Sequence, residues 1–206
     1  LAAISTACAG PCQAGSNANA KILIHLARPI TKSACGTYGA PDCSHVVTAG
    51  MLYPSMYYAY LIVADGAEAA GVGGLQCGLQ YNGAVGFGVD IFSWVLCASF
   101  ECRSGGFDPH WPAPGYGDLI GWTATTRCQR FVPGGTGSGV VASAGYFYCA
   151  AYSPDQLRVV PNPEDGKAKV ADCSAVEDVV GGVGYPHGTS AQLGMANFTT
   201  DGTTPG

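Results

Sequence analysis

The sequence predicts an all-β fold, a two-sheet β-sandwich stapled by disulfides, on three observations. Short apolar stretches alternate with period two, the spacing at which successive side chains point to opposite faces of a strand. Glycine and proline, 31 and 13 of 206 residues, are dispersed between those stretches as turn signals and obey no triplet rule, which sets aside collagen and disordered low-complexity tracts. No amphipathic stretch of about ten or more residues free of glycine and proline occurs, so no convincing helix is expected. About eight short strands separated by turns suit a sandwich or jelly roll, and 206 residues suit a single domain.

Taken in order, residues 1–20, "LAAISTACAGPCQAGSNANA", are small and polar and read as an arm without a core of its own. "KILIHLA" (21–27) is the first strand, with Ile22, Ile24 and Leu26 on one face and Leu23 and His25 on the other. In the following loop, "TKSACGTYGAPDCSH", Cys35 and Cys43 are placed to close a small ring. "YYAYLIVAD" (57–65) has the aromatic and β-branched composition of a strand buried on both faces. "GLQCGLQY" (74–81) sets Leu75, Cys77, Leu79 and Tyr81 against Gln76, Gly78 and Gln80, which puts a cysteine among the core-facing residues. In "IFSWVLCASF" (91–100), unbroken alternation groups Phe92, Trp94, Leu96, Ala98 and Phe100 against Ile91, Ser93, Val95, Cys97 and Ser99, the pattern of a central core strand. After the aromatic, proline-rich excursion "RSGGFDPHWPAPGYGD" (103–118), strand resumes at "LIGWTA" (119–124) and again at "VVASAGYFYCAAY" (140–152). "SPDQLRVVPNPEDGKAKVADC" reads as two short strands around a Pro-Asn-Pro corner, and "KVADCSAVEDVV" is the best candidate for a short helix. The sandwich is thus expected over 21–180, with a glycine-rich tail over 181–206.

Ten cysteines spread along the chain point to an oxidising compartment, where they are ordinary disulfide partners. The chain starts at Leu1 with neither a basic leader nor an apolar signal core, and a leader already removed is the expectation, hence secretion. Charged residues make up 11% of the chain, against roughly a quarter in an ordinary soluble domain. With 9 Lys and Arg, a net charge of −5 and no basic run, neither nucleic acid nor an acidic bilayer is an expected partner. The longest apolar stretch, "MYYAYLIVA" (56–64), is about half of what a membrane helix needs, so no membrane insertion is expected.

Motifs for catalysis are missing. "GTGSGVVA" (135–142) has a GxGxxA spacing, but a Pro-Gly turn precedes it and a β-run follows, so it reads as a hairpin loop. No nucleophile elbow, aspartic-protease signature, HExxH pair or P-loop lysine occurs. His25, His45, His110 and His187 are far apart in sequence and read as surface or strand residues. Asp65, Glu68, Asp108 and Asp118 lack the DxDxDG spacing of a calcium loop, so no cofactor is expected and calcium is left open. The best binding candidate is the loop holding Phe107, His110, Trp111 and Tyr116, whose rings would stack on sugars if exposed; in the alternative, Trp111 folds back over the end of the sandwich. "NFT" makes Asn197 a glycosylation acceptor, and glycan would supply solubility to a chain so poor in charge.

"GVGGLQCGLQY", "GVDIFSWVLCASFE", "GDLIGWTATTRCQ" and "AGYFYCAAYSPDQLRVVPNPEDGKAKVADC" together resemble a β-sandwich module of secreted bacterial proteins, similar to cohesin-like and jelly-roll sandwiches, over about residues 21–178. The resemblance implies a jelly-roll or immunoglobulin/cohesin-like sandwich serving as a binding or scaffold part rather than an enzyme. Cys97, Cys128 and Cys173 match cysteines of that module, whereas Cys77 and Cys149 replace apolar residues of it together. It therefore implies a Cys77–Cys149 bond, followed by Cys97–Cys128; Cys8, Cys12, Cys102 and Cys173 stay unordered. The first functional expectation is an extracellular fibre or appendage subunit that joins copies of itself by strand exchange, with the N-terminal arm as donor. The alternative is a secreted carbohydrate-binding or adhesin module using the 107–116 loop, and a secreted hydrolase comes third.

Overall fold

The computed structural model describes residues 15–32, 34–35, 45–103, 110–123, 126–181 and 192–203. Among them lie twelve strands and no helix: β1 (Lys21–Ala27), β2 (Ala49–Met51), β3 (Tyr57–Gly66), β4 (Gly74–Gln80), β5 (Val89–Leu96), β6 (Phe100–Arg103), β7 (Gly117–Gly121), β8 (Val140–Ala151), β9 (Asp155–Val160), β10 (Ala168–Ala171), β11 (Glu177–Val180) and β12 (Met195–Thr199). The first sheet has the order β1-β3-β8-β5 and is antiparallel throughout. The second is built around β4, which pairs with β7 along one edge and with β9 and β10, end to end, along the other. β6 extends it beyond β7, β11 beyond β10, and β12 and β2 beyond β9; only the β12–β2 pairing is parallel.

Apolar alternation places the core between the two sheets, as the sequence predicts. Ile22, Ile24 and Leu26 of β1, Leu61 and Val63 of β3 and Phe147 of β8 face Leu75 and Leu79 of β4, Ile120 of β7 and Leu157 and Val159 of β9, all buried. Each large side chain so buried contributes roughly 1.5–3 kcal/mol of transfer free energy. One seam is closed by residues 192–194: Ile22 N donates to Gln192 O at 2.8 Å and Val159 N donates to Gly194 O at 3.0 Å, joining the two sheets. At the other, residues 97–99 carry the chain across, with Cys97 N bonded to Ala144 O and Ser99 N to Gly121 O, each at 2.9 Å.

The outer face of the first sheet carries a second cluster, Tyr58, Tyr60, Ile62 and Tyr146 packed with Ala34. The segment after β1 straps over it. Tyr58, Tyr60 and Tyr146 donate their hydroxyls to the carbonyls of Thr31, Ala34 and Lys32 at 2.5, 3.0 and 3.2 Å.

The cysteine pairing differs from the expectation. The bonds are Cys35–Cys97 and Cys128–Cys173, with Cα–Cα distances of 5.3 and 5.7 Å. This corrects both Cys35–Cys43 and Cys97–Cys128: the strap carries Cys35 across the tyrosine face to the residue just after β5, and Cys128 lies beside Val72, next to the turn after β10 that holds Cys173. Cys43, Cys8 and Cys12 lie outside the described residues. Cys77 and Cys149 are free thiols, a correction to their expected bond. Both belong to the core, one on each sheet, where each fills the slot of a small hydrophobe. Burial pushes both thiols up, Cys149 to about 12, and the charge of Asp118 adds to the rise at Cys77.

Both ends enter the fold further than expected. Asn17, at the base of the arm, is fully buried. Its backbone N donates to the Asp178 carboxylate at 2.7 Å, its Nδ2 donates to Gly71 O at 2.9 Å, and its Oδ1 accepts from Ala67 N at 2.8 Å. Of the arm, residues 15–20 therefore belong to the sandwich, and 1–14 lie outside the described residues. The tail over 181–206 is corrected likewise: β12 is a strand of the second sheet, with Ala196 and Phe198 in the core, while 182–191 and 204–206 lie outside the described residues. The candidate helix is β10, a turn and β11, because Asp172 Oδ1 accepts from Ser174 N at 2.7 Å and Val176 N at 2.9 Å and folds the chain back.

Two predictions follow from these placements. Peptide mapping without reduction should return linked Cys35–Cys97 and Cys128–Cys173 peptides, with Cys77 and Cys149 alkylated only after denaturation; alkylation of either in the native protein would contradict their burial. His25 Nδ1 accepts from Val47 N at 3.0 Å, and burial lowers its pKa. The unfolded chain then takes up the proton first, so stability should fall as pH drops below roughly 6.5, the ordinary histidine value. Urea unfolding of His25→Gln should show a shallower loss over that window, and equal slopes would rule this out.

Candidate functional site

The described part of the 107–116 loop, residues 110–116, turns toward the core. Trp111 is 4% exposed and stands edge-on to Trp94 and Phe147, with ring centroids 5.9 Å apart in both pairs. Tyr81 Oη donates to Pro112 O at 3.0 Å and holds the loop down. The exposed Trp111 platform is therefore corrected: its indole contributes more by filling the end of the sandwich than by facing water. His110 and Tyr116 remain at the surface, stacked at 4.9 Å, and Phe107 lies outside the described residues.

The other expected site residues are also spoken for. Asn197 is 6% exposed on β12, where its Oδ1 accepts from Gln156 Nε2 at 2.7 Å, so the "NFT" asparagine lies within the sheet and not on an exposed tail. Asp65 is paired with Lys21, and Glu68 accepts from the backbone of Gly137 and Gly139. Asp118 is fully buried and in register with Cys77, and Asp108 lies outside the described residues. Among the described residues, no group of three or more His, Cys, Asp or Glu is placed to hold a metal ion. The glycines of "GTGSG" turn into β8, with positive φ at Gly135, Gly137 and Gly139 and no helix after them.

What the alternation missed is the free edge of β5. The register against β8 slips between Ile91 and Ser93. In such a bulge two residues oppose one, so every side chain on one flank of it changes face. Ile91 thereby joins Trp94 and Leu96 against the core, while Phe92 turns outward against Tyr148, with ring centroids 5.6 Å apart. The inward Trp94 stacks on Phe147 at 4.6 Å and donates its Nε1 to Glu101 at 2.9 Å. Phe92 and Val95 are left 47% and 36% exposed. β5 is thus an edge rather than the expected central strand: among the described residues its backbone ladder pairs with β8 alone. Natural edges are blunted with lysine, proline or inward charge; this eight-residue one has only Asp90 and the bulge.

The fold defines a class, a disulfide-stapled β-sandwich module. No protein-family model matches the chain, and no curated protein matches it. Among solved structures it is similar to a cohesin module from a family 33 glycoside hydrolase of Clostridium perfringens, with a TM-score of 0.44 and 7% identity over 86% of this chain and 98% of that chain. The cohesin-like resemblance read from the sequence has that counterpart, at the level of a β-sandwich.

The burial of Trp111 is checked by truncation. Trp111→Ala should cost about 3–5 kcal/mol in chemical unfolding, whereas Tyr116→Ala, at the surface, should cost well under half of that; equal effects would mean that the indole is not part of the core.

Proposed function

We propose that the chain is an extracellular structural module, a fibre or appendage subunit that joins copies of itself by laying a neighbour's strand along the free edge of β5. The observation that carries the reading is the edge itself: among the described residues the eight residues of β5 pair with β8 alone, and Phe92 and Val95 within it are exposed. An incoming strand would satisfy its outward N–H and C=O groups and cover both side chains. Two disulfides suit an oxidising compartment, and a chain with 11% charged residues opposes close packing of copies less than an ordinary one.

The donor in this reading is the arm, whose residues 1–14 precede the anchored Asn17. Extended, fourteen residues reach about 46 Å, more than the length of β5. The anchor packs against Ala67 and Gly71, at the end of the sandwich where β3 stops, while β5 begins at the opposite end beside Ala151. A contact joining different surfaces of successive copies does not close on itself and grows a filament. No catalytic role belongs to this reading. The alternative, a carbohydrate-binding or adhesin module, no longer rests on the 107–116 loop, and its support lies on the outer face of the second sheet.

Light scattering and negative-stain microscopy test assembly. The wild type should form particles far above 20.9 kDa, whereas Phe92→Lys, Val95→Lys and deletion of residues 1–14 should each leave a folded monomer. A synthetic peptide of residues 1–14 should bind the deletion variant and fail to bind its Val95→Lys derivative. A wild-type protein that stays monomeric at high concentration, or filaments indifferent to all three changes, would sink the reading.

A further inference from the structure

The outer face of the second sheet carries a trough of about 410 Å³ that runs across the strands. Register explains it. One cross-strand row reads Phe100 on β6, Gly121 on β7, Gly74 on β4, Ala171 on β10 and Glu177 on β11. Its three central members are glycine, glycine and alanine, so the row is a low floor on β7, β4 and β10 between Phe100 and Glu177, whose strands lie about 19 Å apart at the usual interstrand spacing. The next row on the same face holds Leu119, Gln76 and Lys169 and makes one bank; Trp122, Thr123 and Asp172 line the other.

At one end Phe100 lies across the backbone of Gly121, where an added Cβ would sit 2.3 Å from the ring's Cζ. The far face of the ring is open, since Phe100 is 43% exposed. At the other end the polar groups hold one another in place. Lys169 Nζ contacts Asp165 at 3.0 Å and Glu177 at 3.2 Å, and Gln76 Nε2 donates to Asp165 Oδ1 at 2.8 Å. Each keeps capacity toward the trough: Lys169 a third N–H, Glu177 its second oxygen, Gln76 its carbonyl.

A flat apolar floor, an open aromatic face and fixed donors and acceptors along one side narrow the ligand. A wholly apolar ligand would strip water from Lys169 and Glu177 without replacing it. Asp165, Asp172 and Glu177 outnumber Lys169, which disfavours phosphates and acidic sugars. The floor's backbone groups are already paired within the sheet, so no peptide strand can be added there. A pyranose ring has both required surfaces, an apolar C–H face and a rim of hydroxyls. The volume lies within the usual range for ligand sites, roughly 300–1,000 Å³.

We propose that this trough binds a neutral oligosaccharide, with a pyranose ring stacked on Phe100, the chain seated over Gly74 and Ala171, and its hydroxyls bonded to Gln76, Lys169 and Glu177. The site is on the opposite sheet from β5, and the inference does not rest on strand addition.

The test is a neutral-glycan array followed by calorimetric titration with cellohexaose, xylohexaose, mannohexaose and chitohexaose. At least one glycan should bind the wild type. Phe100→Ala and Ala171→Leu, which removes the stacking face and fills the floor respectively, should each weaken binding by about tenfold or more, or 1.4 kcal/mol, with unchanged thermal unfolding. Gln76→Ala, a side chain off the core, serves where either variant unfolds early and should also weaken binding. Val95→Lys should bind as the wild type does, whatever becomes of assembly. Failure of every neutral glycan at millimolar concentration, or equal binding by the wild type and the folded trough variants, would overturn the proposal.

Discussion

β3 and β8 are apolar on both faces, and most of the molecule answers to that constraint. Leu61, Val63 and Phe147 face inward, while Tyr58, Tyr60, Ile62 and Tyr146 face outward from the same two strands. The second sheet covers the inner side. On the outer side the chain after β1 crosses the sheet and offers three carbonyls to three tyrosine hydroxyls, so aromatic surface and polar tips are satisfied together. The Cys35–Cys97 bond closes the strap onto the end of β5 and removes chain entropy from the unfolded state. Without that cover the tyrosine face would be a large exposed aromatic patch.

The same constraint explains which parts of the fold were legible in the sequence. Where one face is buried and the ladder is regular, alternation alone assigns the sides: Ile22, Ile24 and Leu26 on β1 and Leu75, Cys77 and Leu79 on β4 lie as their spacing predicts. Along β5 the same reasoning fails, because the bulge between Ile91 and Ser93 adds a residue without leaving a compositional mark. Phe92 was thereby assigned to the core and Ile91 to the surface, and the edge went unseen. Disulfide partners were illegible for a different reason. Cys35 and Cys97 are 62 residues apart and meet only because the strap crosses the sheet, whereas loop proximity favoured Cys43.

The two ends show the limit of reading local composition. "SNANA" lacks bulk, yet Asn17 is fully buried because its amide and backbone satisfy groups far away in sequence, Asp178 on β11 and Gly71 and Ala67 in the turn between β3 and β4. Polar burial of this kind has no periodic signature. At the other end, "MANFT" is too short a run to stand out from glycine-rich surroundings, but it has β9 on one side and β2 on the other. Gly74 and Gly121 fall in the expected strands 74–81 and 119–124, but only register sets them side by side and turns two missing side chains into a trough.

The two proposed surfaces draw on opposite properties of their sheets. β5 can accept a strand because, among the described residues, its outward ladder is unfinished, while the floor of the trough lies on β7, β4 and β10, each paired on both sides, so the floor is rigid and can recognise a ligand only through side chains and shape. The second disulfide supports that rigidity. Cys173 follows Asp172 in the bank of the trough and is bonded to Cys128, and Gly71 packs so closely that a Cβ there would sit against the Cys173 sulfur. The bank is thus held from behind by a covalent tie and in front by the Asp172 turn. A site whose walls are fixed before the ligand arrives loses little conformational entropy on binding. In a chain with so few charges, Asp165, Lys169 and Glu177 gather beside that site in a polar arrangement that the core does not require.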